Sequence, residues 1–398
     1  MARAPVFPKT SHAADLLGLS RLTIGAVSGV ADLVEAVHLN ILGQVPVPVV
    51  IKPLARATSL VYSGVRGVTG LVGGGLDRAL RQLQPLLGDQ SGWAGRESLL
   101  AAVNGVLGDH LARTANPLAI PMSLRRNGAS LALDDIGDDV NGRILVLAHG
   151  LCMNDLQWRR EGHDHGAALQ AERGYTPLYL HYNSGRHISE NGRDFAEKLE
   201  ALLAAWPVPV EELVIVGHSM GGLVTRSACH YGELAGHGWL RHLSKAVFLG
   251  SPHHGAPLER GGNWINVVTD MTSYTAPFSR LAKLRSAGIT DLRHGSLLDS
   301  DWEEQDRFAH GAALPQSVPL PASVACYTVA ATIGEQPDDI SNCVAGDGLV
   351  PLASALGRHD DRQRSLTFPT ANRAVVYGTN HMELLNSPVV YQQLLEWL

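Results

Sequence analysis

Apolar positions recur at helical spacing through the first 113 residues, then give way to short apolar runs that alternate with helical stretches. Val27, Val30, Val34 and Val37 fall on one face of a helix over 12–38, with Asp32 and Glu35 turned elsewhere. Pro46, Pro48 and Pro53 break that pattern. A second helix is expected over 58–84, where Gly67, Gly70 and Gly74 would let another backbone come close. A third is expected over 96–113, with Leu100, Val103, Leu107 and Leu111 on one face.

From about Pro121 the texture changes. Asn127-Gly128 between 122–126 and 130–133 is a hairpin signal. Residues 143–148 form a nearly continuous apolar run, as in a strand buried on both faces. Further strands are expected near 176–181, 213–216, 246–249, 324–331 and 373–377. The intervening and closing helices are expected near 162–173, 189–206, 220–231 and 388–398. This alternation implies an α/β fold: a mainly parallel sheet with helices on both faces. The 256–321 stretch interrupts it as a cap insertion. A boundary near Pro117 divides an N-terminal helical segment, 1–117, from a catalytic domain, 118–398.

Composition sharpens the division. The 398 residues are 45% hydrophobic and 18% charged, enough apolar material for a packed core. Net charge is −6, which argues against nucleic acid as the main partner. Residues 1–117 carry ten basic and seven acidic side chains, a balance of +3, which leaves −9 for the remainder. Two placements stay open for the N-terminal segment: an appendage packed on the main domain or on a second copy in a homodimer, or a peripheral membrane contact. The N-terminus lacks the pattern of a signal peptide, and no stretch of about 18 apolar residues is free of charge. The expectation is a soluble cytoplasmic protein with at most peripheral membrane association. Four scattered cysteines specify neither a disulfide framework nor a zinc site.

Candidate chemistry begins at Gly217-His-Ser-Met-Gly221, a G-x-S-x-G motif. The bare motif is weak, but here it follows the apolar run 213–216 and opens a helix. That strand–turn–helix setting lifts a serine hydroxyl off the sheet edge, and a Cβ at either glycine would clash with the neighbouring strand and helix. Ser219 is therefore the candidate nucleophile. The base and its orienting acid should follow in the order acid, then histidine. His381, just past the strand at 373–377, is the candidate base. Asp347, between Gly346 and Gly348, is the candidate acid, although Asp338 and Asp339 stand closer to the preceding strand. The oxyanion needs two backbone N–H groups. Met220 supplies one and Leu151, after the 143–148 strand, the other, with Cys152 as the alternative.

Val146-Leu-Ala-His-Gly-Leu151, Ile215-Val-Gly-His-Ser-Met-Gly-Gly-Leu223, Gly250-Ser-Pro-His-His-Gly255, Gly346-Asp-Gly-Leu-Val-Pro351 and Asn380-His-Met-Glu-Leu384 together resemble the bacterial lipase/esterase branch of the α/β-hydrolases, including the GPI inositol-deacylase-like lipases. The resemblance implies that fold, a Ser219–Asp347–His381 triad, and ester hydrolysis on an acyl ester or lipid without cofactor or metal. Glu383 stands where several secreted lipases carry a calcium-binding aspartate, so no calcium site carries over. Residues 1–117 match no part of the family pattern.

His149 and His218 beside the site, and Trp264 and Met271 in the insertion, are the candidate substrate-binding residues. Trp264, Val267, Val268 and Met271 recur at helical spacing, which suits either an apolar lid or an ordinary packed helix. His163 and His165 read as solvated rather than metal-binding, and His253 and His254 as loop residues near the site. Two rival functions remain: an acyltransferase using the same triad, and a catalytically inert lipid-binding protein.

Overall fold

The computed structural model describes residues 96–256, 286–303, 314–337, 339 and 346–398. The expected helices over 12–38 and 58–84, together with Trp264 and Met271, lie outside the described residues. One compact unit, Glu97–His110 with Ile120–Leu398, carries the sheet and the candidate site.

Eight strands form one sheet: β1 (Ser123–Arg126), β2 (Ala129–Ser130), β3 (Arg143–Ala148), β4 (Thr176–His181), β5 (Glu212–His218), β6 (Leu243–Leu249), β7 (Ala325–Ala331) and β8 (Arg373–Val376). Their order is β2-β1-β4-β3-β5-β6-β7-β8. From β4 to β8 every neighbouring pair is parallel, while β1 pairs antiparallel with both β2 and β4. The hairpin turns where expected, with Asn127 (φ 54°) and Gly128 (φ 77°) both left-handed. Its second strand is shorter than the 130–133 run.

The helices are α1 (Arg96–Arg113), α2 (His165–Arg173), α3 (Ile188–Ala205), α4 (Met220–Ala235), α5 (Ala287–His294) and α6 (Pro388–Trp397), besides one turn at Leu352–Ala355. Alternation along the central strands sorts the core into two layers. Ile144, Val146, Leu213 and Ile215 join Phe195 and Leu199 of α3 and Leu223 and Val224 of α4. Leu145, Leu147, Val214 and Val216 face the other way, toward Leu169 of α2 and Val390 and Leu394 of α6. Both faces are thus covered, which is why these strands read as unbroken apolar runs.

The α1 helix is buried beyond the stripe read from sequence. Ala101, Ala102, Val103 and Val106 are buried, whereas Leu100 and Leu107 are half-buried. A side chain at Gly105 would overlap Cys152, and one at Gly108 would overlap Asn183, so the helix backbone lies directly on the loops after β3 and β4. Among the described residues, no helix is long and apolar enough to cross a membrane.

Candidate active site

The turn between β5 and α4 holds Ser219 at φ 54° and ψ −123°, a strained region for a residue with a side chain. Close packing forces the turn. A Cβ on Gly217 would come within 2.6 Å of Gly222, and one on Gly221 would overlap the Ala148 carbonyl at the end of β3. The Ser219 amide donates to Leu249 O at 2.9 Å, tying the turn to β6. Ser219 precedes the helix but makes no capping bond with its side chain, so the hydroxyl is not spent on α4.

Asp347 and His381 come together on the loops after β7 and β8. His381 Nδ1 lies 2.7 Å from Asp347 Oδ2, and the His381 amide donates to the Asp347 carbonyl at 3.0 Å. The other carboxylate oxygen of Asp347 accepts the amides of Leu349 and Val350 at 3.0 and 2.8 Å. Both residues are buried. Since Nδ1 donates to the carboxylate, Nε2 is left as the proton acceptor. Asp339, the other described candidate acid, instead accepts the Gln336 amide at 2.9 Å. Glu383 accepts the Asn380 amide at 2.8 Å and so closes the loop that carries His381.

Two close approaches pack the loops around the site, one at the serine and one at the Asp347–His381 pair. A Cβ on Gly150 would lie 3.0 Å from the Ser219 Cβ, and one on Gly250 would lie 3.2 Å from both His381 Cε1 and Asp347 Oδ2. The Ser219 hydroxyl makes no hydrogen bond to the imidazole in this structure, a contact that often tightens only with substrate bound.

The loop after β3 is braced from several sides. Tyr182 Oη donates to the His149 carbonyl at 2.7 Å, and Ser184 Oγ accepts the Cys152 amide at 3.0 Å. Cys152 sits at φ 59°. Its amide is therefore taken, which favours Leu151 over Cys152 as an oxyanion donor. The Met220 N–H is the first of α4 and belongs to the four amides that a helix start leaves without an intrahelical acceptor.

His149 and His218 are fully buried, and their rings bond the frame instead of facing an open surface. His149 stacks on Tyr182 and turns Nδ1 to Gly150 O at 2.9 Å; burial pulls its imidazole down to about 3, so it is neutral. His218 Nε2 donates to His381 O at 3.1 Å, and burial, followed by the His381 charge, holds it well below the usual range.

His165 corrects an expectation. It is buried rather than solvated, with Nε2 3.0 Å from Leu384 O and Nδ1 2.8 Å from His163 Nε2, and burial lowers it to about 4. His253 is likewise buried and lies within a basic cavity described below. Tyr182 and Ser184 are the supporting residues that motif reading missed. The signal available was a polar Tyr-Asn-Ser run at the carboxyl end of a parallel strand, where sites of such sheets gather. Among the described residues, no group of three or more His, Cys, Asp or Glu could hold a metal ion.

The mainly parallel sheet with helices on both faces is an α/β-hydrolase fold. Residues 139–320 match the family described as PGAP1-like alpha/beta domain, a stretch that includes the loop after β3 and Ser219 and stops short of Asp347. No curated protein matches the chain. Similar solved structures include the mature lipase BlEst2 of Bacillus licheniformis, 16% identical over 70% of this chain and 97% of that one, with a TM-score of 0.42. The esterase PF2001 of Pyrococcus furiosus is 12% identical over 65% and 82%, with a TM-score of 0.38. The type II thioesterase YbtT is 16% identical over 64% and 92%, with a TM-score of 0.37.

Proposed function

We propose that the protein is a serine carboxylester hydrolase acting on an acyl ester or lipid. The observation that carries this reading is the 2.7 Å Asp347–His381 contact, formed beside a serine held in a strained strand-to-helix turn. Ser219 Oγ attacks the acyl carbon while His381 Nε2 takes its proton. Asp347 keeps the imidazole in the tautomer whose Nε2 is free and stabilises the imidazolium that forms. The Leu151 and Met220 amides receive the negative charge that develops on the carbonyl oxygen.

Collapse of the tetrahedral adduct breaks the ester C–O bond. The leaving alkoxide takes the proton from His381 and departs as the alcohol, leaving an acyl group on Ser219. His381 then removes a proton from water as it attacks the acyl-enzyme, and returns it to Ser219 as the acid is released. The donors and the base are held by bonds within the protein, so little reorganisation is needed during reaction.

The test is hydrolysis of p-nitrophenyl esters from acetate to palmitate by the protein and by Ser219→Ala. Serine-dependent turnover, reduced by about 10⁴–10⁶-fold in the variant, is expected. Near-normal turnover by folded Ser219→Ala would end the assignment. The preferred chain length would distinguish a short-chain esterase from a lipase.

A further inference from the structure

Arg226 lies two turns beyond the nucleophile on α4 and is buried, with 3% of its surface exposed. A buried guanidinium ordinarily faces a carboxylate, because an unpaired charge out of water is costly. Here one terminal nitrogen donates to the Val318 carbonyl and the other lies 3.5 Å from His253 Nδ1. Its Nε is buried with no partner. Burial lowers even this guanidinium to about 10, with only partial relief from the Cys326 and Cys229 thiols.

Arg226 opens on a cavity of about 40 Å³ whose wall includes His253, His254, His359 and Arg364 and, among the described residues, no aspartate or glutamate. Residues of that wall carry buried donors without acceptors. His253 is buried, its Nδ1 faces Arg226, and its Nε2 has no partner. Arg364 donates to the Pro315 carbonyl at 2.6 Å, while its buried Nε is unpartnered. His359 Nδ1 accepts the Asp361 amide at 3.0 Å, which leaves its Nε2 as a donor. Exposed residues 314, 316 and 317 form part of the rim, giving access from solvent. None of Ser219, Asp347, His381, Leu151 or Met220 lines it.

From this basic wall, with no carboxylate among its described residues and donors that lack acceptors, we propose that the cavity is a binding site for a small phosphate-type oxyanion, held by Arg226, His253 and Arg364. Its volume is about three times the ~10–15 Å³ that one water requires, the scale of a tetrahedral ion and too small for an acyl chain. The donors come from three separate segments: α4, the loop after β6 and the 359–364 loop. Converging donors suit a tetrahedral acceptor, whereas a planar carboxylate is matched by a single guanidinium fork. The site is independent of the ester chemistry above.

The test is calorimetric titration of the full chain with inorganic phosphate at fixed pH and ionic strength, with chloride as the control salt. One phosphate per chain is expected. Arg364→Gln should weaken binding by about ten- to hundredfold, the scale of a lost charge-assisted hydrogen bond. Arg226→Met should abolish it, and Ser219→Ala should bind as the wild type does. If Arg226→Met does not fold, the half-buried Arg364 position carries the comparison.

Sedimentation with phosphatidate-containing phosphatidylcholine vesicles distinguishes the two sources of such a group. Recruitment that free phosphate reverses identifies a lipid headgroup; phosphate binding without recruitment identifies a free ion. Failure of the wild type to bind either, or equal binding by Arg364→Gln, would overturn the proposal.

Discussion

Two histidine-rich places lie in the same compact unit, and they leave different hydrogen-bonding groups without a partner. Around Ser219, the rings of His149, His218 and His381 each commit one nitrogen to a backbone carbonyl or to Asp347. Around Arg226, the Nε of Arg226, Nε2 of His253 and Nε of Arg364 are buried donors without an acceptor. At the first place the buried ring nitrogens left without a partner, His149 Nε2 and His218 Nδ1, are acceptors, and the serine hydroxyl is uncommitted. The second has its charge and donors assembled but no acceptor for them. Preorganised catalysis requires the former, and ligand capture is the use of the latter.

The largest break in this contrast is Ser219→Ala, with its loss of about 10⁴–10⁶-fold in turnover. Asp347→Asn should follow, lowering kcat by about 10³–10⁴-fold, because an amide can hold the imidazole in the wrong tautomer. Steady-state kinetics with a conserved fold by circular dichroism would check it; a loss under tenfold would contradict the role of Asp347. Ser184→Ala removes the acceptor of the Cys152 amide and so loosens the loop after β3, the proposed source of an oxyanion donor. A fall of about tenfold in kcat with KM little changed is expected, whereas a change in KM alone would point to substrate contact instead.

Acid sharpens the comparison through stability, because buried neutral histidines occur in both places. Burial lowers His149 to about 3 and His165 and His254 to about 4, and holds His218 and His253 well below their usual range. In the unfolded chain each titrates near 6.5. Below that pH the unfolded chain binds protons that the folded chain refuses, so stability is lost as pH falls from about 6.5 toward 4, with His149 extending the loss to about 3. Thermal unfolding followed between pH 7.5 and 4.5 should show a steep decline in Tm; a flat profile would contradict it. The smallest effect is expected from Arg364→Gln, which should leave ester turnover within about threefold. A large loss there would join the two places that the structure keeps distinct.

Much of the site was legible because its determinants are local. The turn around Ser219 needs glycines within two residues on either side, and the motif and its flanking apolar runs display that need directly. Strands β3 and β5 were the most legible because burial on both faces leaves little room for polar residues. Asp347 and His381 followed from their places after β7 and β8.

What escaped depends on contacts distant in sequence. His165 reads as part of a polar helix start, yet its burial is set by Leu384, 219 residues away. Arg226 reads as an ordinary helix position until Val318 and His253 close over it. The close packing of α1 on the Cys152 loop is made by Gly105 and Gly108, residues with no side chain to register in an apolar stripe. Of the α1 stripe, Val103 and Leu111 are buried and Leu100 and Leu107 are half-buried.

The central claim is that Ser219 is an activated nucleophile. Reaction of the native protein with a fluorophosphonate, followed by intact-mass and peptide mapping, measures that directly. One phosphonyl group per chain on Ser219, absent from Ser219→Ala and strongly slowed in Asp347→Asn, is the expected result. Folded protein that remains unlabelled, or that is labelled equally after Ser219→Ala, would contradict the claim.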